Sequence, residues 1–432
     1  MKTNPLPFLS AEQKGQLENE QSKSVIVADM DGNVVGFNPG AQDIFGYTAK
    51  EAIGMHVRLF HPKQNYARIL PELFRTALQK GKYDAVIPLI RKNGKEFPGH
   101  IIVTQVKDTQ NQVVGLIGVT EEVRALPVSS TISKWIQALR APFFSATLIP
   151  VFLGTAIAFH ATGLFSFWPF FWTVLGMLCI HAGVNMANDY YDHRSGNDAL
   201  NQHPTPFSGG SRVIQDGIFS ADTIKWVSFS FLALGALIGL YINSLIPGNK
   251  ILFIGLLGMG IGFFYSAPPF AASYRRFGEL FVGVGFGPLI VVGSYIVQTG
   301  MFSWIPLLVS IPIGLLIAGV LFLNEFPDAE ADIKVGKRNI VNSIGKKSSV
   351  HVLAGGIILA FAIIAGLILA RVIPIWTAGV FLAIPLAWKT ITHTQENYDT
   401  ILELIPANAS MITLNFVFGA LLTLAFLAGT WL

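Results

Sequence analysis

The chain has 432 residues, of which 52% are hydrophobic and only 13% charged, with a formal net charge of +4. Soluble domains carry about 25% charged residues, so a wholly soluble protein is excluded, and so small a positive excess gives no electrostatic footprint for nucleic acid. One cysteine, Cys179, leaves neither a disulfide framework nor a cysteine metal site.

The hydrophobic excess begins near Pro142, whereas residues 1–125 have the composition of a soluble module, so at least two domains are expected. Met1 to Ser24 is polar and lacks the apolar core of a secretory signal. Val25 to Asn38 reads as two short strands around an Asp31-Gly32 turn, followed by short helical segments at Phe45-Gly46-Tyr47 and Glu51 to Gly54. Ile87 to Arg91, an Asn93-Gly94 turn, Phe97 to Val106 and Val113 to Val119 complete an antiparallel sheet. This α+β pattern resembles a PAS sensor domain over residues 20–124. Without a cysteine the module excludes flavin–cysteinyl photochemistry, and His56, His61 and His100 read as surface histidines rather than haem ligands. The resemblance leaves the PAS ligand unknown and admits a PAS-mediated homodimer as a partner.

Residues 125–141 form a linker and an interfacial helix. Ala125 to Thr131 is rich in helix breakers, and Ser133 to Arg140 places Trp135, Ile136 and Leu139 toward lipid, with Lys134 and Arg140 toward headgroups. From 142 to 432 apolar runs of about 20 residues recur, each long enough to span a bilayer. About nine transmembrane helices are expected, near 143–162, 166–189, 223–246, 250–267, 278–298, 302–325, 348–370, 373–391 and 408–431. Arg194, Arg212, Arg275, Arg276, Lys334, Lys337, Arg338, Lys346 and Lys347 follow alternate runs. Positive loops face the cytoplasm, so a multi-pass protein of the inner (plasma) membrane is expected, with its N-terminus cytoplasmic.

Two acidic clusters end the second and sixth runs. Asn185, Asn188, Asp189 and Asp192 fall at i, i+3, i+4 and i+7, and Asp328 and Asp332 at i and i+4, so each set shares one helix face. Carboxylates at a membrane boundary are costly unless something binds them. A divalent cation carrying a diphosphate suits hard oxygen donors there; either cluster alone reads equally well as a solvated helix end. The loops that follow carry Gly209-Gly210 and Arg212, then Lys337 and Arg338, groups suited to phosphate oxygens. Ordinary positive-inside topology accounts for those cations one at a time, and what argues for a site is that acids and bases recur together in both loops.

Asn188-Asp189-Tyr-Tyr-Asp192-His-Arg-Ser-Gly196-Asn-Asp198 with Gly209-Gly210-Ser211-Arg212, and Asp328-x-x-x-Asp332-x-x-x-Gly336-Lys337-Arg338, resemble the paired aspartate-rich motifs of the UbiA superfamily of intramembrane prenyltransferases. Trp135 to Pro142, Tyr265 to Pro269, Gly278-Glu279, Tyr295-x-x-Gln298 and Pro406 to Ala409 are similar to its menaquinone branch, which prenylates 1,4-dihydroxy-2-naphthoate. The resemblance covers residues 133–432. It implies an all-α UbiA-like bundle and Mg²⁺ on Asp189, Asp192, Asp328 and Asp332. Asn185 and Asn188 would support substrate, with Arg212, Lys337 and Arg338 on the diphosphate. Asp198 would orient or deprotonate the acceptor, and Tyr265 and Tyr295 would shield an allylic cation, although packing is the more ordinary role for either tyrosine. One departure stands out: the family usually has Asn-Asn-x-Arg-Asp where this chain has Asn324-Glu325-Phe326-Pro327-Asp328. That adds an acid, removes a cation, and places a proline expected to bend the helix end.

The implied reaction joins a polyprenyl diphosphate to an aromatic acceptor, 1,4-dihydroxy-2-naphthoate with loss of its carboxylate, at a cytoplasmic active site in the lipid bilayer. The PAS module, close to the first span, is expected to regulate it. Acceptors of the 4-hydroxybenzoate or homogentisate type are the alternative within the same chemistry. A PAS-regulated transporter would place its charges near the bilayer midplane, and a membrane receptor would need an output domain.

Overall fold

The computed structural model describes residues 5–122, 131–201, 205 and 207–430, and the chain divides into two compact units, Met1–Thr131 and Ile132–Leu432. In the first unit, α1 (Ala11–Asn19) precedes β1 (Ser24–Asp29) and β2 (Val34–Phe37). The turn between the strands forms because the Asp29 carboxylate accepts the backbone N–H groups of Asp31 at 3.0 Å and Asn33 at 2.8 Å, while Gly32 takes a φ of +80°. Three helices follow, α2 (Pro39–Phe45), α3 (Ala49–Ala52) and α4 (Lys63–Lys80), and then β3 (Lys82–Ile90), β4 (Glu96–Lys107) and β5 (Val113–Glu122). The strands form one antiparallel sheet in the order β2-β1-β5-β4-β3. Alternation along β4 buries Phe97, Ile101 and Val103 against the helices. Phe45 is wedged between the rings of Phe60, at 4.8 Å, and Phe97, at 5.6 Å.

His61 corrects the expectation of a surface histidine. It is buried, lines a small cavity under the sheet, and has an unpartnered Nδ1; burial pushes its pKa down to about 4. His56 and His100 are half-buried, and His100 meets the Asp84 carboxylate at 2.7 Å. The cavity of about 60 Å³ is below the ~150 Å³ in which an apolar cavity holds benzene. A haem or flavin would therefore require the core to open.

The second unit is helical. It begins with α5 (Thr131–Ala138), α6 (Ser145–Thr162), α7 (Phe167–Ser195) and the single turn α8 (Asn197–Leu200). Next come α9 (Ala221–Ser244), α10 (Lys250–Phe263), α11 (Gly278–Val284), α12 (Ile290–Thr299) and α13 (Trp304–Lys334). The chain closes with α14 (Ile340–Ile344), α15 (Lys346–Leu369), α16 (Ile384–Asn397) and α17 (Ile401–Ala428). Among the described residues eight helices are long and apolar enough to cross a membrane. The run expected near 250–267 is the exception: α10 has 14 residues, about 21 Å at helical rise against a hydrocarbon core of about 30 Å.

Small residues let the helices close up. A Cβ on Gly287, between α11 and α12, would stand 2.8 Å from the Cα of Gly314 on α13. The bend expected at Pro327 does not end α13, which runs on to Lys334 and carries both Asp328 and Asp332 inside it. The linker expected at 125–131 lies, apart from Thr131, outside the described residues. Of the expected interfacial helix, Ile132 and Ile136 are exposed, but Trp135 is stacked on Phe219 at 4.3 Å rather than turned to lipid.

Candidate active site

α7 continues past the apolar run to Ser195, where Gly196 caps it in the left-handed region at φ +79°. Its last turns therefore hold the first acidic cluster on one face. α13 brings the second cluster from the other side, and Asn197, Asn201, Gly209 and Ser211 of the chain after α7 fold over both. Asn197 on α8 donates to Asp332 Oδ1 at 3.2 Å, and Asn201 donates to Asp328 Oδ1 at 2.7 Å. The Gly209 N–H donates to Asp328 Oδ2 at 3.2 Å, and the Ser211 N–H to Asp189 Oδ1 at 3.1 Å. Gly209 and Gly210 both have positive φ, and a Cβ on Gly210 would stand 2.7 Å from Asp198 Oδ2. The glycine pair thus lets the loop lie against carboxylates. Residues 202–204 and 206 of this loop lie outside the described residues.

The acids differ in what they face. Asp192, Asp198 and Asp328 line a cavity of about 470 Å³, together with Asn185, Asn188 and Lys337, a volume typical of small-molecule sites. Asp189 and Asp332 are buried and are not among the lining residues. Asp332 accepts from Asn339 at 2.8 Å and meets the Lys337 ammonium at 3.4 Å. Asp189 is ion-paired with Arg140 through Oδ1, and its Oδ2 is buried without a partner. Asp192 accepts from Tyr274 at 3.0 Å and Asn188 at 3.0 Å. Asn185 donates to the Leu139 carbonyl at 3.2 Å.

Two buried titratable groups set the electrostatics at the acidic end. Burial alone would push the Lys337 ammonium down, but Asp332 and Asp192 outweigh it and hold the group well above its ordinary value, so it stays a cation. Burial, then Asp192 and Asp189, push the Asp198 carboxyl up to about 8. Burial and the neighbouring carboxylates thus favour its protonated form, which can donate a hydrogen bond to an acceptor.

Several expected site residues sit elsewhere. The Arg212 guanidinium donates to the Asp198 carbonyl at 2.6 Å and does not line the cavity; it braces the loop. Arg338 is exposed, and its backbone pairs with Arg276 and Tyr274 instead. Tyr265 lines the cavity, whereas Tyr295 is packed in the helix core. Glu325 is buried behind the wall, while Asn324 faces the cavity and accepts from Asn408 at 2.7 Å.

Sequence reasoning missed Arg140 and Tyr274. Arg140 was expected at the headgroups. A left-handed backbone at φ +50° after α5 turns it inward to Asp189. Tyr274 joins Asp192 to Ser195, whose Oγ is 2.7 Å from its hydroxyl, and stands under the Lys337 ammonium at 5.7 Å from its ring centre. The adjacent Arg275-Arg276 pair drew attention as a topology signal, and nothing local marks the tyrosine.

Among the described residues no three His, Cys, Asp or Glu side chains lie together as a complete metal site. The donor set still fits Mg²⁺, which takes hard oxygens and is usually held by one or two carboxylates plus substrate phosphates and water. Beyond the acids the cavity runs on between α7, α9, α10 and α12, with walls such as Ile180, Ile238, Leu252, Ile254 and Val297. One end is lined by charged groups and the other by hydrocarbon.

The family described as "UbiA prenyltransferase family" matches residues 147–412, and "PAS domain" matches residues 22–125. The chain is 28% identical over 291 residues to the 1,4-dihydroxy-2-naphthoate octaprenyltransferase of Bacillus subtilis (strain 168), covering 67% of this chain and 91% of that one. It is 26% identical over 295 residues to the 2-carboxy-1,4-naphthoquinone phytyltransferase of a Synechocystis strain, covering 68% and 92%. Identity is 29% over 311 residues to the 1,4-dihydroxy-2-naphthoate octaprenyltransferase of Haemophilus influenzae, covering 70% and 98%.

Proposed function

Because the chain belongs to the UbiA prenyltransferase family and is a multi-pass membrane protein with an N-terminal PAS domain, we propose that it transfers a polyprenyl group from its diphosphate to 1,4-dihydroxy-2-naphthoate, with decarboxylation, in menaquinone biosynthesis. The observation that carries this is a cavity with Asp192, Asp328 and Lys337 at one end and aliphatic walls along the rest. Such a cavity matches a molecule with a diphosphate head and a hydrocarbon tail. The naphthoate acceptor rests on the names of the similar proteins. By the positive-inside rule the site opens to the cytoplasmic side of the inner membrane.

Mg²⁺ held by Asp192 and Asp328, with Asp189 and Asp332 behind them, would supply neutralisation of the charge that builds on the leaving diphosphate. Lys337 holds a diphosphate oxygen as a cation in a site from which water is largely excluded. The bond between prenyl C1 and oxygen breaks, and its electron pair leaves with pyrophosphate. The ring carbon bearing the carboxylate attacks C1, and the carboxylate departs as CO2, returning its electron pair to the ring. Asp198 donates to an acceptor oxygen, and the Tyr265 ring faces the developing allylic cation.

Membranes containing the full chain, supplied with a polyprenyl diphosphate, Mg²⁺ and each of several aromatic acids, are expected to form the decarboxylated prenyl naphthoquinol, seen by mass spectrometry, and to lose that activity with EDTA. Product from 4-hydroxybenzoate or homogentisate alone would overturn the acceptor, and full activity in EDTA would overturn the metal. We also assign the PAS module a regulatory role, because its match ends at residue 125 and the first membrane-length helix begins close after it in sequence, at Ala141. Removing residues 1–125 should change the rate or its response to redox conditions. An unchanged rate under every condition would end that idea.

A further inference from the structure

His181 occupies the cavity wall without a role in binding the diphosphate. It shares the face of α7 that carries Asn185, Asn188 and Asp192, since positions 181, 185, 188 and 192 are spaced at helical pitch. At 1.5 Å per residue it lies about 6 Å deeper than Asn185 and about 16 Å deeper than Asp192, past the level at which a diphosphate would sit. The side chain is 5% exposed and lines the cavity. Phe144 and Phe286 stand edge-on to its ring, with centroids at 5.2 Å and 5.1 Å, and hold its plane.

One ring nitrogen is already committed. Nδ1 lies 2.6 Å from the Thr147 hydroxyl on α6. Either atom of that contact can be the donor; with the Thr147 hydroxyl donating, the imidazole proton sits on Nε2, and in that tautomer His181 presents an N–H to the cavity. Its lining neighbours on the same helix, Met177, Ile180 and Val184, are apolar, and a prenyl chain carries no hydrogen-bond acceptor. A ring N–H left facing hydrocarbon is unfavourable, and an oxygen of the other substrate is the partner that would relieve it.

We propose that His181 binds the aromatic acceptor, its Nε2–H donating to the ring hydroxyl oxygen that lies farthest from the diphosphate. This rests on the prenyl-transfer reading of the same cavity. The residue selects acceptors with an oxygen at that end, and the Thr147 hydroxyl is the positioning group that sets the tautomer.

The test is equilibrium binding and steady-state kinetics on the detergent-solubilised full chain, with 1,4-dihydroxy-2-naphthoate and its analogue lacking the 4-hydroxyl. The wild-type chain is expected to prefer the dihydroxy compound by about 10–100-fold, the factor that corresponds to leaving one buried donor unpaired. His181→Phe, which keeps ring volume and edge-on packing, should erase that preference, raise the KM for the acceptor and leave the KM for the prenyl diphosphate within about twofold. His181→Gln, which retains a donor, should restore part of the preference. Unchanged prenyl-diphosphate affinity reports that both variants are folded. A His181→Phe chain that still discriminates the two naphthoates would overturn the inference while leaving prenyl transfer intact, as would equal losses for both substrates. A wild-type chain that binds neither naphthoate would overturn the acceptor reading itself.

Discussion

Asp328→Asn is expected to lower the rate of prenyl transfer by about 10²–10³-fold, the loss typical when one preorganised group facing developing charge is removed. The carboxylate lines the cavity, and its two oxygens accept from Asn201 at 2.7 Å and from the Gly209 N–H at 3.2 Å. Asparagine keeps the volume but loses the charge that a divalent cation needs. Its amide nitrogen must also face one of those two donors, which loosens the loop over the site. Asp192→Asn, on the opposite helix, should behave alike, because that carboxylate also faces the cavity. The measurement is pyrophosphate release at saturating substrates, with the thermal midpoint as a check on folding. Rates within tenfold of wild type would show that these two acids do not carry the metal and diphosphate.

Asp332→Ala should act first on stability. Asp332 is fully buried, pairs with Lys337 at 3.4 Å and accepts from Asn197 and Asn339. Its removal leaves a buried ammonium and two amide donors unpaired, and breaking such a pair costs about 3–5 kcal/mol. Asn339 also caps α14, its side chain accepting from the Asn342 N–H at 2.8 Å, so the Lys337 loop should loosen with it. The double variant Asp332→Ala with Lys337→Met removes both charges and should recover part of the lost thermal stability while remaining inactive. Equal midpoints for the single and double variants would mean that the buried ion pair is not what holds this corner. The contrast between Asp328 and Asp332, four residues apart on one helix, separates an acid that faces the cavity from one that pairs with a lysine.

Those two aspartates also mark the limit of what spacing reveals. Helical pitch placed Asp328 and Asp332 on one face, and they do share it. One of them lines the cavity and the other lies behind, because a helix face is wider than a cavity mouth and neighbouring loops decide which part is covered. Arg212 and Arg338 illustrate the same limit among the cations. Both belong to the motifs, yet one braces the Asp198 carbonyl and the other is exposed and does not line the cavity. Lys337 is the cation of the three that reaches it. Arg140 was the reverse case, a residue read as facing headgroups that a left-handed backbone turned inward.

From the sequence alone came the two units, the antiparallel PAS sheet with its Asp-Gly and Asn-Gly turns, the apolar helices, and the family's paired acidic motifs. These follow from local periodicity, turn chemistry and composition, which act over a few residues and are written directly in the chain. Only the tertiary structure decided which acids face the cavity, that Tyr274 bridges Asp192 and Ser195, that α10 is shorter than the other apolar helices, and that His181 lines the cavity deeper than the acids. Those outcomes depend on which side chains meet across helices far apart in sequence. There the cost of leaving a buried charge or donor unpaired selects one arrangement, and no local pattern records it.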